Sequence, residues 1–196
     1  DTAILSEEVR GRELLRRLEE AYAMPPSRPD TGLVYADTDN RGVTFGFVDT
    51  VTHTGDLLFC SVLKYQAARE LAALYAEIGD GEGAQDCRDR AETLKRAIDV
   101  TFPAVDGLLR ASTGASAQPD VWGTAYAVYV GALTPGKKAA ACRALANAYD
   151  AGTLAWRGNI RHVRITDDFS DATMWERALA AKNTYQNGAY WGTPVG

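Results

Sequence analysis

Residues 56–102 impose the strongest constraint on the fold: two apolar patterns of helical period, one directly after the other. In the first, Leu58, Val62, Ala67, Leu71, Leu74 and Ile78 recur at spacings of three to five, and Gly79 supplies a stop. In the second, Ala84, Cys87, Ala91, Leu94, Ile98 and Phe102 form a stripe on an otherwise charged segment, ended by Pro103. The linker, "GDGEGA" at 79–84, is too short to do anything but reverse the chain, so the two segments form an antiparallel helical hairpin.

The same grammar recurs. Residues 120–133, DVWGTAYAVYVGAL, are apolar nearly all round, which predicts a helix buried on every side. Pro135 opens another helix over 135–150, joined to the first by "TPG". Leu14, Leu15, Leu18 and Tyr22 predict a helix within 3–23, and a shorter one is expected over 171–183. Strand signals are confined to possible short ribbons at 33–37, 43–47 and 160–165. The expected class is all-α, with residues 1–196 forming part of one domain.

Polar chemistry gathers in three stretches that each lead into or lie beside a helix: "GFVDTVTHTGD", "SAQPDVWGTAY" and "TYQNGAYWGTP". Asp120 follows Asp49 by 71 residues, and Asn187 follows Asp120 by 67. A period near 70 suits one inner helix, one outer helix and two loops, repeated. Inner helices starting on one face would bring these loops together, and a convergent face with aromatics and few polar groups is where a ligand is expected.

Composition removes other classes. The net charge of −5 disfavours nucleic acid and anionic membrane surfaces alike. No apolar run approaches the roughly 18–20 residues of a spanning helix. The three Cys (Cys60, Cys87, Cys142) contain no CxxC, so no zinc site or disulfide framework is indicated, and all three read as reduced core or near-core residues. No cofactor is implied: GxGxxG, GxxxxGK[ST] and GxSxG are all missing, and no His or Cys pair has metal-ligand spacing. The start, DTAILSEEVRGRELL, lacks the basic-then-apolar form of a secretory leader, which with the odd Cys count points to the cytoplasm. A chain whose leader had been removed would read the same way.

The stretches "FGFVDTVTHTGDLLFCSVLKYQAARELAALYAEIGD", "AETLKRAIDVTF", "QPDVWGTAYAVYVGAL", "GNIRHV" and "YQNGAYWGTPVG" resemble the six-hairpin glycosidases, whose fold is an (α/α)6 toroid. The resemblance spans most of residues 30–196 and implies a glycoside hydrolase acting on an oligosaccharide or glycoside, a carbohydrate substrate, with inversion as the expected outcome. A full toroid has twelve helices. At about 70 residues per hairpin it needs on the order of 400 residues, so this chain corresponds to about half, and missing segments or another subunit would complete the ring.

Glycosidic hydrolysis uses two carboxyls, one of them a proton donor. In the family this chain resembles, an acid often precedes an inner helix, and Asp49 matches that place. Phe45 and Phe47 beside it would raise its pKa by desolvation. The structural alternative is an Asx turn onto Thr52. Asp56 reads as the N-cap of the helix that follows, and Asp120 as either an N-cap or a substrate ligand. Trp122 is either a sugar-stacking ring or core. His53 and His162 are candidates for bonding hydroxyls. The resemblance of "YQNGAYW" to an NG-aromatic-W loop makes Asn187, Tyr190 and Trp191 substrate contacts. Glu176 is a candidate second carboxyl or a solvated helix residue.

Two other readings stand beside hydrolysis. A sugar epimerase or polysaccharide lyase on the same toroid would need His or Tyr bases, so a His-pair epimerase requires His53 and His162 to face each other. An open solenoid binding module would repeat near 34 residues with polar concave helices, which the 70-residue spacing and the apolar 120–133 segment disfavour.

Overall fold

The computed structural model describes residues 2–37, 39, 51–114, 118–167 and 177–192. Among these are five helices: α1 (Leu14–Ala23), α2 (Leu58–Glu77), α3 (Gly81–Thr101), α4 (Val121–Tyr129) and α5 (Pro135–Asp150). Eight two-residue strands accompany them. They are β1 (Tyr35–Ala36), β2 (Val51–Thr52), β3 (Gly55–Asp56), β4 (Ala104–Val105), β5 (Leu108–Leu109), β6 (Ala155–Trp156), β7 (Asn159–Ile160) and β8 (Arg177–Ala178). They pair antiparallel as β1–β3, β2–β8, β4–β5 and β6–β7. The class is therefore mixed rather than plainly all-α: helices carry the core, and short ribbons tie the connections.

The two helical hairpins form where the sequence places them. Asp80 caps α3, its carboxylate accepting from the Gly83 N–H at 2.9 Å. Pro135 begins α5, where a missing N–H costs nothing. Leu58, Val62, Tyr65 and Ala68 of α2 meet Ala91, Leu94 and Ile98 of α3 and Phe102 just after it in one buried cluster, extended by Ala127 of α4 and Ala141 of α5. Burying each of the larger aliphatic and aromatic side chains in this cluster contributes about 1.5–3 kcal/mol.

Several expectations need correction. The helix expected over 3–23 is split. Thr2–Ser6 forms a 3-10 turn, and Arg10 and Gly11 take left-handed φ of 56° and 77°, so regular helix resumes only at Leu14. Asp56 does not cap α2. It lies in β3, paired through the main chain with Tyr35, and its carboxylate accepts from Arg28 Nε at 2.7 Å. The cap position is Leu57, and the N–H of Leu58, which has no intrahelical partner, is satisfied by the Ala111 carbonyl at 2.9 Å. Helix α4 is not buried all round, because Tyr129 on it is 82% exposed. Of the cysteines, Cys60 and Cys87 are buried but Cys142 is exposed. Of the expected helix over 171–183, residues 177–178 form a strand against β2 and the rest of the described part is not helical. The ribbon expected at 43–47 lies outside the described residues.

The turn joining β4 to β5 shows how tightly the hairpins are locked. Gly107 sits at φ +86°, and a Cβ there would lie 2.9 Å from the Ala140 carbonyl oxygen and 2.8 Å from the Ala144 Cβ. The ribbon is thus pressed onto the middle of α5, with no room for a side chain. We expect Gly107→Ala to lower stability by about 2 kcal/mol, from its left-handed backbone and the backbone clash together. Urea unfolding with an unchanged midpoint would refute this.

Candidate functional site

The N-terminal ends of α2 and α4 open side by side, and a chain of main-chain hydrogen bonds joins them. The Leu58 N–H donates to the Ala111 carbonyl (2.9 Å), Ala111 N–H to Gln118 (3.1 Å), Asp120 N–H to Leu109 (2.8 Å) and Val121 N–H to His162 (2.9 Å). Ile160 and Trp191 exchange both bonds, at 2.9 and 3.0 Å, which attaches the 184–191 loop to the same end. Segments far apart in the chain are thereby fixed against one another by their backbones.

Polar side chains on these segments are buried, with His53, Arg161 and His162 close enough to feel one another's charge. His53, Ser112, Gln118, Asp120, Arg161, His162, Gln186 and Asn187 are all 3% exposed or less. Asp120 is the N-cap of α4, accepting from the Gly123 N–H at 2.8 Å. The fit is close: a Cβ on Gly123 would strike the Asp120 carboxylate and come within 2.9 Å of Leu58 Cδ2. Burial pushes the Asp120 carboxyl up to about 7, against the opposing pull of the Gly123 and Trp122 main-chain N–H groups. The same burial lowers His162 to about 3, aided by the charge of Arg161 and then by that of His53. The two imidazoles are therefore electrostatic neighbours. Arg161 donates from Nε to the Val163 carbonyl (3.1 Å) and from Nη2 to Asn183 Oδ1 (2.7 Å), and its guanidinium lies 5.2 Å from the Tyr190 ring centre. Asn187 spends its amide on the Ala180 carbonyl, at 2.8 Å, within its own loop.

Against this cluster stands an open cleft of about 680 Å³ between α4, α5 and the start of α2. Five rings line it: Phe59, Trp122, Tyr126, Tyr129 and Tyr149. Phe59 and Tyr126 stand 5.8 Å apart, and Tyr126 stacks on Tyr129 at 6.3 Å. Trp122 belongs to both regions. One side of it lines the cleft, and its ring meets His162 edge-on at 5.5 Å.

Set against the sequence candidates, the structure brings His53, Asp120, Trp122 and His162 into one neighbourhood. It links the loop of Asn187, Tyr190 and Trp191 to that neighbourhood through Arg161 and Ile160. His53, Asp120, His162 and Asn187 are buried, while Trp122, Tyr190 and Trp191 keep part of their surface. Asp49 and Glu176 lie outside the described residues. Sequence reasoning missed the cleft rings Phe59, Tyr126, Tyr129 and Tyr149. The signal was present, since Trp122, Tyr126 and Tyr129 share one helix face at i, i+4 and i+7, but an all-apolar helix reads as core. It also missed Arg161 and Gln118, polar side chains whose burial depends on tertiary contacts. Among the described residues no three His, Cys, Asp or Glu side chains gather as a metal would require. No family model matches this chain, and neither does any curated protein.

Asp120 and His162 set opposing pH dependences. Between the ordinary carboxylate value of 3.8 and about 7, folded Asp120 keeps a proton that the unfolded chain releases, so its contribution to stability falls as pH rises. Between 6.5 and about 3, folded His162 refuses a proton that the unfolded chain takes up, so its contribution falls as pH drops. The two windows overlap, and the effects oppose each other. On going from pH 7 to pH 4, Asp120→Asn should lose stability relative to wild type, and His162→Gln should gain it. Denaturant unfolding across that range checks both, and parallel curves for all three proteins would contradict the burial argument.

Proposed function

We propose that this protein is a glycoside hydrolase acting on an oligosaccharide or glycoside, built from hairpins of an (α/α) toroid. The observation that carries the reading is the five-ring cleft backed by the polar helix mouths. Sugar rings present C–H faces that pack on aromatic faces, and hydroxyls that need a few fixed polar partners. A concave, mostly apolar site with convergent polar groups suits both demands. In this reading Trp122 is the stacking ring nearest the chemistry, and Tyr190 and Trp191 extend the sugar contact. His53, His162 and Asn187 shape the polar end. Asp49, on the segment just before β2, is the proton donor. Asp120 is the cap that holds the mouth of α4 in place, uncharged over much of the acid range.

One observation favours a second reading, a sugar epimerase: His53 and His162 lie in one buried cluster, each within the other's field. Two bases on either side of a sugar carbon would exchange its proton with solvent.

Both readings answer to one set of assays. Hydrolysis predicts release of reducing sugar from at least one member of a glycoside panel. On a natural, poor leaving group Asp49→Asn should lower kcat by about 100-fold or more, while Asp120→Asn stays close to wild type. Trp122→Ala should raise KM with a smaller change in kcat. Epimerisation instead predicts deuterium entering a free sugar in D2O, seen by NMR, and loss of that exchange in His53→Gln. Undiminished turnover by Asp49→Asn would remove it as the donor, and silence in every assay would sink both readings.

A further inference from the structure

A second concavity, of about 400 Å³, lies on the α1 side of α2, away from the aromatic cleft. Its floor is one face of α2: Leu63, Ala67, Leu71 and Leu74 follow helical spacing, and Leu18 and Tyr22 of α1 form the opposing wall. Both Leu18 and Leu63 remain more than a third exposed, so apolar surface is left uncovered.

One charge sits in this groove without a match. Lys64 is half-buried, donates to Ser27 Oγ at 2.6 Å, and rides over the Tyr22 ring at 4.7 Å. Among the described residues it forms no ion pair. The neighbouring Arg90 is already neutralised by Glu19, at 3.2 Å, and by Asp86. Burial, with Arg90 second, pulls the Lys64 ammonium below its ordinary value, the direction of a cation short of a counter-anion. Glu70 also borders the groove, but it is exposed and accepts from Gln66 Nε2 one turn back.

We propose that this groove binds a medium-chain aliphatic carboxylate, with its carboxylate on the Lys64 ammonium and its chain lying along α2 toward Leu74. The dimensions agree. From Lys64 to Leu74 the helix rises about 15 Å, long enough for an extended chain of this class. The chemistry agrees as well: an amphipathic acid supplies the missing negative charge and the missing apolar cover together, which neither a sugar nor an inorganic anion does. The interaction does not depend on the carbohydrate reading.

Calorimetry with decanoate below its micellar concentration tests it. The expected result is saturable binding of one molecule per chain, weakened about tenfold in Lys64→Met through loss of the charge-assisted bond. Ala67→Trp, which fills the groove, should abolish binding while the thermal midpoint and circular dichroism stay as in wild type. 1-Decanol, which lacks the charge, should bind at least tenfold more weakly than decanoate. No saturable binding, equal binding of decanol, or an unchanged affinity in Lys64→Met would each overturn the proposal. Sedimentation closes the remaining route: if the wild-type chain self-associates and Ala67→Trp makes it monomeric, the groove belongs to a second copy and the proposal is wrong.

Discussion

Everything at the helix mouths depends on main-chain hydrogen bonds made between segments, not within them. The first N–H groups of a helix have no intrahelical partner, and burying them unpaired costs about 1–3 kcal/mol each. In α2 no side chain performs this service. The Ala111 carbonyl does so for Leu58, and the Leu57 carbonyl is claimed by Ser61 through both its N–H and its hydroxyl. In α4 the task is divided between the Asp120 side chain and the His162 carbonyl. The starts of α2 and α4 are each completed by a carbonyl from a segment later in the chain. Position in the chain and position at the mouth are therefore linked, and polar loops converge because helix ends need them.

That requirement has an electrostatic consequence. A cap buried this deeply cannot keep a full charge cheaply, and Asp120 and His162 resolve the problem in opposite directions. From about pH 3 to about pH 7 the carboxyl holds its proton and the imidazole lacks one, so both are neutral. The cation of the cluster is Arg161, which donates to Val163 and Asn183 and whose guanidinium carbon lies 5.2 Å from the Tyr190 ring centre. This buried guanidinium thus ties the 160–163 segment to the 183–190 loop, and its charge adds to burial, the larger cause, in keeping the nearby imidazole uncharged.

How much of this was legible in the sequence follows the range of the interactions. Periodicity and local stops located α2, α3 and α5 closely, because the i, i+3, i+4 pattern and Gly79, Pro103 and Pro135 act within a turn or two. Asp120 was legible as a cap for the same reason: the residue that it bonds, Gly123, is three positions away. Asp56 shows the limit. Its local context is that of a cap, but Arg28 and Thr113, distant in sequence, draw it into a ribbon instead. The split of the 3–23 segment at Arg10 and Gly11 has no apolar break to announce it. The burial of Gln118, Arg161 and Gln186 is a property of the assembled mouth and is invisible in any window of the chain.

Trp122 shows why the cleft and the cluster belong together. It is the second residue of α4, so the cap that fixes Asp120 also fixes where the indole emerges. Its edge rests on His162, whose carbonyl bonds the Val121 N–H, so the main chain and the side chain of one histidine hold the start of α4 from two directions. The indole then has little freedom, and its outer surface faces the cleft beside Tyr126. A rigid ring set by a buried, uncharged support binds a flat apolar face with small loss of side-chain entropy. Helix capping, the pH balance of the cluster and the shape of the cleft are therefore consequences of one local arrangement at the mouth of α4.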